Sequence, residues 1–304
     1  MAAALALWAH ASLAQDLEAA ASQAVPLETR IAERDWAVRL RAEATDTSDR
    51  TDLLKENPGY ASVPARIRAG EIRWLHESRV SVAAWQETWT TKQRQSSRRY
   101  GGVFDFPLRD AWNARLRLTR WDEGDLFADA TFFHFGVGGM ASDRVFSHTE
   151  YMRSRFGEAG GTHQVSQYVS WSPGSRLRLG GYGALGKHER RSRHSWYGGG
   201  FVGAELVPDW TVLRAEALTG GGPYGRDYAE YRAHLYQRLN DFATLRPDIR
   251  LYRQAGGDSE SLAFGLKAIV YLSPALDLQA GYRYYERRHG VRMDTAMLGF
   301  GMIF

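Results

Sequence analysis

Residues 36–44 read Trp36-Ala37-Val38-Arg39-Leu40-Arg41-Ala42-Glu43-Ala44, and their alternation decides the fold. In an extended chain successive side chains point to opposite faces. Trp36, Val38, Leu40 and Ala42 therefore share one face, and Arg39, Arg41 and Glu43 share the other. A half-buried strand of a soluble sheet would show the same alternation. So would a strand of a membrane barrel, with its apolar face toward lipid and its charged face toward the interior.

Working outward, the pattern recurs near 65–75, 79–89, 100–107, 111–121, 126–137, 144–155, 163–172, 175–186, 195–206, 210–219, 227–238, 245–254, 261–272, 275–286 and 291–304. With the first segment this predicts an all-β, transmembrane antiparallel barrel of about sixteen strands, with both termini on one side. In 65–75 the apolar parity shifts near Gly70, which predicts a bulge there. Tight Pro-containing turns are expected at Pro107–Asp110, Ser172–Ser175, Val207–Asp209 and Ser273–Ala275, because Pro favours a turn and cannot sit in a central strand. They alternate with polar connections at 45–60, 91–99, 187–194, 220–227 and 254–261. The connection at 122–125 reads as a short outer loop, and 239–244 as a long inner turn.

Tryptophan supports the same arrangement. Trp36, Trp74, Trp112, Trp171 and Trp210 fall at the inner ends of the segments, and Trp89, Trp121 and Trp196 at the outer ends. That sorting is expected of two interfacial belts. Trp85 alone lies mid-strand.

Composition excludes other classes. In 304 residues, 24% of them charged, no run of about eighteen apolar residues exists to make a spanning helix. Absence of cysteine removes disulfides, thiolate metal sites and thiol nucleophiles. The net charge of +4 is carried by Arg alternating with apolar residues rather than by a basic tail, which argues against nucleic acid as a partner. Residues 1–14 read as a signal peptide lacking its basic n-region, with cleavage after Ala14. Residues 15–33 read as a short periplasmic segment, and 34–304 as the barrel.

The chain finishes Met297-Leu298-Gly299-Phe300-Gly301-Met302-Ile303-Phe304, with Leu298, Phe300, Met302 and Phe304 on one face. This resembles the C-terminal signal of Gram-negative outer-membrane β-barrels, a last amphipathic strand closing on Phe. The resemblance covers about 36–304 and specifies no family; in strand number the chain is similar both to porins and to barrels of exopolysaccharide exporters. It implies the outer membrane as location. It also implies the barrel assembly machinery as a partner that reads Phe300 and Phe304, with outer-membrane lipids and lipopolysaccharide as neighbours.

On the expected interior face stand Arg39, Arg41, Arg66, Arg68, Arg115, Arg117, Arg176, Arg178, Arg214, Arg232, Arg250 and Arg283, interleaved with acids such as Asp105, Glu150, Glu216 and Glu230. An interior with excess Arg favours small polar or anionic solutes, whereas a wall of cross-strand ion pairs would serve stability alone. The basic outer connections, with Lys92, Arg94, Arg98, Arg99, Lys187 and Arg190, stand where lipopolysaccharide phosphates would lie. Two Gly-rich runs, Leu179–Leu185 and Tyr197–Glu205, permit close approach or ease wall curvature.

Three expectations compete. The leading one is a channel without catalysis, cofactor or metal. The second is a barrel for polysaccharide export. The third, from another class, is a closed receptor barrel or a lipid- or peptide-modifying enzyme, for which His76 with Ser78, His148 with Glu150, and His234 with Glu230 are the acid–base candidates. The nine His are scattered without metal-ligand spacing.

Overall fold

The computed structural model describes residues 36–49, 64–76, 79–91, 96–109, 111–122, 129–157, 160–190, 194–221, 227–255, 260–273, 275–287 and 291–303. Sixteen strands follow one another in chain order. They are β1 (Trp36–Asp49), β2 (Pro64–Leu75), β3 (Ser81–Thr91), β4 (Ser96–Arg109), β5 (Trp112–Trp121), β6 (Ala130–Ser142), β7 (Val145–Phe156) and β8 (Gly160–Gly174). After these come β9 (Leu177–His188), β10 (His194–Val207), β11 (Thr211–Gly221), β12 (Asp227–Asn240), β13 (Ala243–Gln254), β14 (Glu260–Ser273), β15 (Leu276–Arg287) and β16 (Val291–Ile303). Each pairs antiparallel with its sequence neighbours, and β1 pairs with β16, where Leu40 lies opposite Met302. Closure leaves no strand edge unpaired, as a hydrocarbon surrounding requires.

The connections alternate in length. At one end the strands are joined through 76–80, 110–111, 143–144, 175–176, 208–210, 241–242 and 274–275, and β1 begins and β16 finishes at that same end. Two of these turns rest on left-handed residues, Arg79 with φ 64° and Asp209 with φ 60°. Asp209 suits that conformation, and its N–H donates to the Glu205 carboxylate at 2.7 Å. The connection expected to be a long turn over 239–244 is two residues, Asp241 and Phe242, because β12 continues through Asn240 and absorbs the extra residue as a bulge.

Register fixes the faces, since directly opposed residues share one. On the outer face stand Leu40, Ile72, Phe104, Leu116, Phe135, Val169, Leu213, Ile249, Leu266 and Leu298, all exposed. This is the apolar wall that a bilayer demands. Contrary to the bulge expected at Gly70, β2 keeps an unbroken register from Arg66 to Trp74 against β1.

Candidate functional site

The interior face is built by the residues that alternate with the apolar wall. Its cations with described side chains are Arg41, Arg73, Arg99, Arg115, Arg117, Arg178, Arg214, Arg232, Arg238, Arg246, Arg250, Lys267, Arg283 and Arg287. Its acids are Glu71, Glu87, Asp105, Glu150, Glu205, Glu216, Glu230, Asp248 and Asp277. Positive charge is in excess.

Two ladders organise these groups. On β10–β13, Glu230 accepts from Arg232 Nε at 2.7 Å and Nη2 at 3.1 Å, and its carboxylate also meets Arg250 Nε at 2.8 Å. One acid thus serves two guanidinium groups. Beside it Arg214 pairs with Glu216 at 3.2 Å and lies over the Phe201 ring, 4.1 Å from its centroid. Tyr182 donates its hydroxyl to Glu216 at 3.2 Å. On β3–β7, Glu87 accepts from Arg99 Nε at 2.7 Å and from Trp89 Nε1 at 3.0 Å. Arg99 and Arg117 both lie over the Trp85 ring, at 5.8 and 5.9 Å. Arg115 donates to Asp105 at 2.6 Å, and His134 meets Glu150 at 3.1 Å.

Three interior arginines stand apart from these ladders. Arg178, Arg246 and Arg283 have no ion pair among the described residues. Arg246 instead lies over the Tyr236 ring, 5.2 Å from its centroid. Their charge is left for whatever occupies the interior.

Glycine keeps large side chains flat on the wall. A Cβ at Gly138 or Gly136 would collide with the His148 ring, one at Gly180 with the Phe201 ring, one at Gly265 with Asp248, and one at Gly301 with Asp277. Each inward glycine thus lets its cross-strand neighbour lie along the sheet instead of projecting into the bore.

Several sequence-based placements are corrected here. Arg66 and Arg68 face outward: they oppose Ala44 and Ala42, on the face of Leu40 and Ile72. The side chain that does face inward there is Ile67, 7% exposed, within an apolar cluster with Trp89, Trp121, Ala130, Phe132 and Met152. That cluster also removes Trp89 and Trp121 from the lipid-facing belt, since both are buried on the interior side. Arg176 lies in the turn between β8 and β9, exposed, and not on a strand.

The other assignments divide as follows. Arg41, Arg115, Arg117, Arg178, Arg214, Arg232, Arg250 and Arg283 stand on the interior face. Trp74, Trp112, Trp171 and Trp196 stand on the outer face, and Trp210 lies in a turn where Arg238 stacks on it at 5.5 Å. Phe300 is outward and exposed. The side chains of Trp36 and Arg39, and the residues Ser78 and Phe304, lie outside the described residues, as do 1–14 and 15–33.

The sequence reading passed over Arg99, Arg73 and Arg246. Arg99 was assigned to a loop, yet β4 starts at Ser96, and the alternation of Ser97 and Arg99 against Arg98 and Tyr100 was the available signal. As for the acid–base candidates, Glu150 bonds His134 rather than His148, and Glu230 is held by arginines rather than by His234. Among the described residues no group of His, Asp and Glu is arranged to hold a metal ion.

No family model matches the chain, and no curated protein matches it in sequence. In structure it is similar to OccK3 (OpdO) of Pseudomonas aeruginosa, with TM-score 0.60 and 10% identity over 88% of this chain and 95% of that one. OccAB4 of Acinetobacter baumannii gives TM-score 0.58 and 7% identity, over 89% and 98%. A bacterial polysaccharide outer membrane secretin gives 0.58 and 10%, over 88% and 97%. At these identities the likeness is one of fold.

Proposed function

We propose that the protein is a passive outer-membrane channel for small polar and anionic solutes. The excess of interior arginine carries this reading, above all Arg178, Arg246 and Arg283, which have no ion pair among the described residues. Fixed cations on a low-dielectric wall raise the local concentration of anions and lower that of cations. A barrel of about sixteen strands is wide enough for an aqueous bore, and the glycines under His148 and Phe201 widen it further. The apolar outer face, together with the fold likeness to an outer membrane secretin, supports the outer membrane as the setting.

On this reading the chain is exported by a leader at 1–14 and inserted by the barrel assembly machinery through its last strand. The end bearing the short turns and both strand termini faces the periplasm. No step of bond chemistry is required of any residue, and no cofactor. The test is efflux from proteoliposomes: a sugar acid should leave faster than the neutral sugar of the same size, and an amino sugar slower. Equal rates for all three would contradict a channel set by arginine.

A second reading, export of a polysaccharide, draws on the interior aromatic surface. Tyr168 and Phe201 stack at 5.5 Å and Tyr228 and Tyr252 at 5.6 Å, the kind of flat faces on which pyranose rings slide. Oligosaccharides that block conductance in proportion to their length would favour it.

A further inference from the structure

Arg66, Arg68 and Arg98 stand on the outer wall, on the face of Leu40, Ile72 and Phe104. Register places them in a compact group: Arg68 lies opposite Thr88, Thr88 lies opposite Arg98, and Arg66 is two residues further along β2. Arg68 and Arg98 flank Thr88 across two strand spacings, about 10 Å. All three are exposed, and none of their guanidinium groups has an ion pair or a hydrogen bond among the described residues. Among those residues the outward faces of β2, β3 and β4 carry no acid; the nearest, Asp122 just beyond β5, stands opposite Arg98 but is turned to Arg120 at 3.6 Å. Elsewhere on the same rim most outward arginines have an acid beside them: Arg120 has Asp129 at 3.1 Å, Arg253 has Glu260 at 2.9 Å, Arg292 has Glu286 at 2.9 Å and Arg153 has Glu189 at 3.8 Å, whereas Arg155 has no ion pair among the described residues.

The patch has a defined height. Tyr100 marks the level at which the apolar wall gives out, with Phe104, Val82 and Ile72 between it and the Trp74 end. Arg68 and Arg98 fall one hydrogen-bonded row beyond Tyr100, at the end opposite the chain termini. An arginine on the lipid face costs roughly 2–4 kcal/mol at midplane and little at the interface. Retaining three there without an ion pair is intelligible if the adjoining lipid carries the anions. Guanidinium groups bind phosphate in a bidentate fork, and the hydroxyls of Thr88 and Thr90 add donors between them.

From this charge complementarity we infer that the outer wall of β2–β4 is a docking site for lipopolysaccharide, the phosphate-bearing glycolipid of the outer leaflet. Its phosphates sit on Arg66, Arg68 and Arg98, and its acyl chains lie along Ile72, Val82 and Phe104. The inference rests on the outer-membrane reading and on the long-loop end facing outward.

The test uses the full-length protein, folded in detergent and checked by the shift in gel migration on boiling. Retention of bis-phosphorylated lipid A is measured by native mass spectrometry, beside dephosphorylated lipid A and phosphatidylglycerol. Bis-phosphorylated lipid A should be retained best. The triple variant Arg66→Gln, Arg68→Gln, Arg98→Gln should lose roughly tenfold or more in retention, since each charge-assisted bond is worth more than 1 kcal/mol. The triple Arg→Lys variant should recover part of it. The control Arg253→Gln, Arg292→Gln, which removes as exposed a pair of outward arginines, should change little. Equal loss in the control, retention indifferent to the lipid's phosphates, or a change of oligomeric state in place of lipid loss would each overturn the site. A chain that shows no heat-modifiable folded form in any detergent or bilayer would instead overturn the outer-membrane reading itself.

Discussion

The ring of Phe201 occupies the space in which a Cβ on Gly180 would stand. The two oppose each other across β9 and β10, and the absence of a side chain on one lets the other lie along the wall. In that position Phe201 stacks on Tyr168 at 5.5 Å and carries the guanidinium of Arg214 4.1 Å from its ring centroid. A glycine is thus what keeps an arginine-bearing aromatic out of the bore.

Gly180→Ala should therefore drive the Phe201 ring inward. The overlap costs on the order of 1–3 kcal/mol, the usual range for overpacking, and the displaced ring narrows the interior. A lower midpoint of heat-induced unfolding on gels, together with a smaller single-channel conductance, is the expected pair of results. Unchanged conductance would mean that the ring finds another place on the wall.

Glu230→Gln separates stability from selectivity. The carboxylate is 4% exposed and holds both Arg232 and Arg250. Its loss leaves two neighbouring guanidinium groups facing each other, costing roughly 2–3 kcal/mol after allowance for the partial exposure of Arg250. The same change adds positive charge to the interior. The variant should unfold at a lower temperature yet prefer anions more strongly; a weaker preference would show that the ladder does not set the interior field.

The turn after β9 supplies a pH dependence. The backbone N–H of Gly161 donates to the Glu189 carboxylate at 2.9 Å, and His163 and Arg153 lie beside it, all of which hold the Glu189 pKa below the usual carboxylate range. A carboxyl whose folded pKa is depressed stabilises the fold above its ordinary pKa, and that contribution is lost as pH falls through the folded value. Glu189→Gln should thus lower the unfolding midpoint at about pH 7 and leave it nearly unchanged at about pH 3. An equal loss at both would assign the effect to packing against Gly161.

Strand number, pairing order and the alternation of short and long connections were legible because each rests on local pattern, period two within strands and polar residues between. Proline was a poorer guide to the turns: Pro107 lies within β4 opposite Asn113, and Pro173 within β8, so those two turns fall later than expected. The face of an ambiguous strand was not. In β2 the apolar residues Ile67, Ile72 and Trp74 change parity at Gly70, and a bulge there would have restored a single apolar face. The chain instead tolerates Ile67 inside, because Trp89, Trp121, Phe132 and Met152 arrive from four other strands to cover it. No single strand reveals such a cluster. The same cause misplaced Trp89 and Trp121: tryptophan was sorted by height along the strand, and height does not state the face. Of the interior site, the arginine alternation was visible. Which arginines are neutralised was not, since Glu230 serves a residue two positions away and another on the next strand.

The central claim is that unpaired interior arginine sets the passage of anions, and its most direct test is the reversal potential across a planar bilayer under a salt gradient. The wild-type protein should give stable steps with an anion-selective potential. The variant Arg178→Gln, Arg246→Gln, Arg283→Gln should shift that potential toward zero, with far more effect than Arg115→Gln, whose charge is already paired with Asp105. Steps of undiminished anion preference in the triple variant, or a silent bilayer with correctly folded protein, would contradict the account.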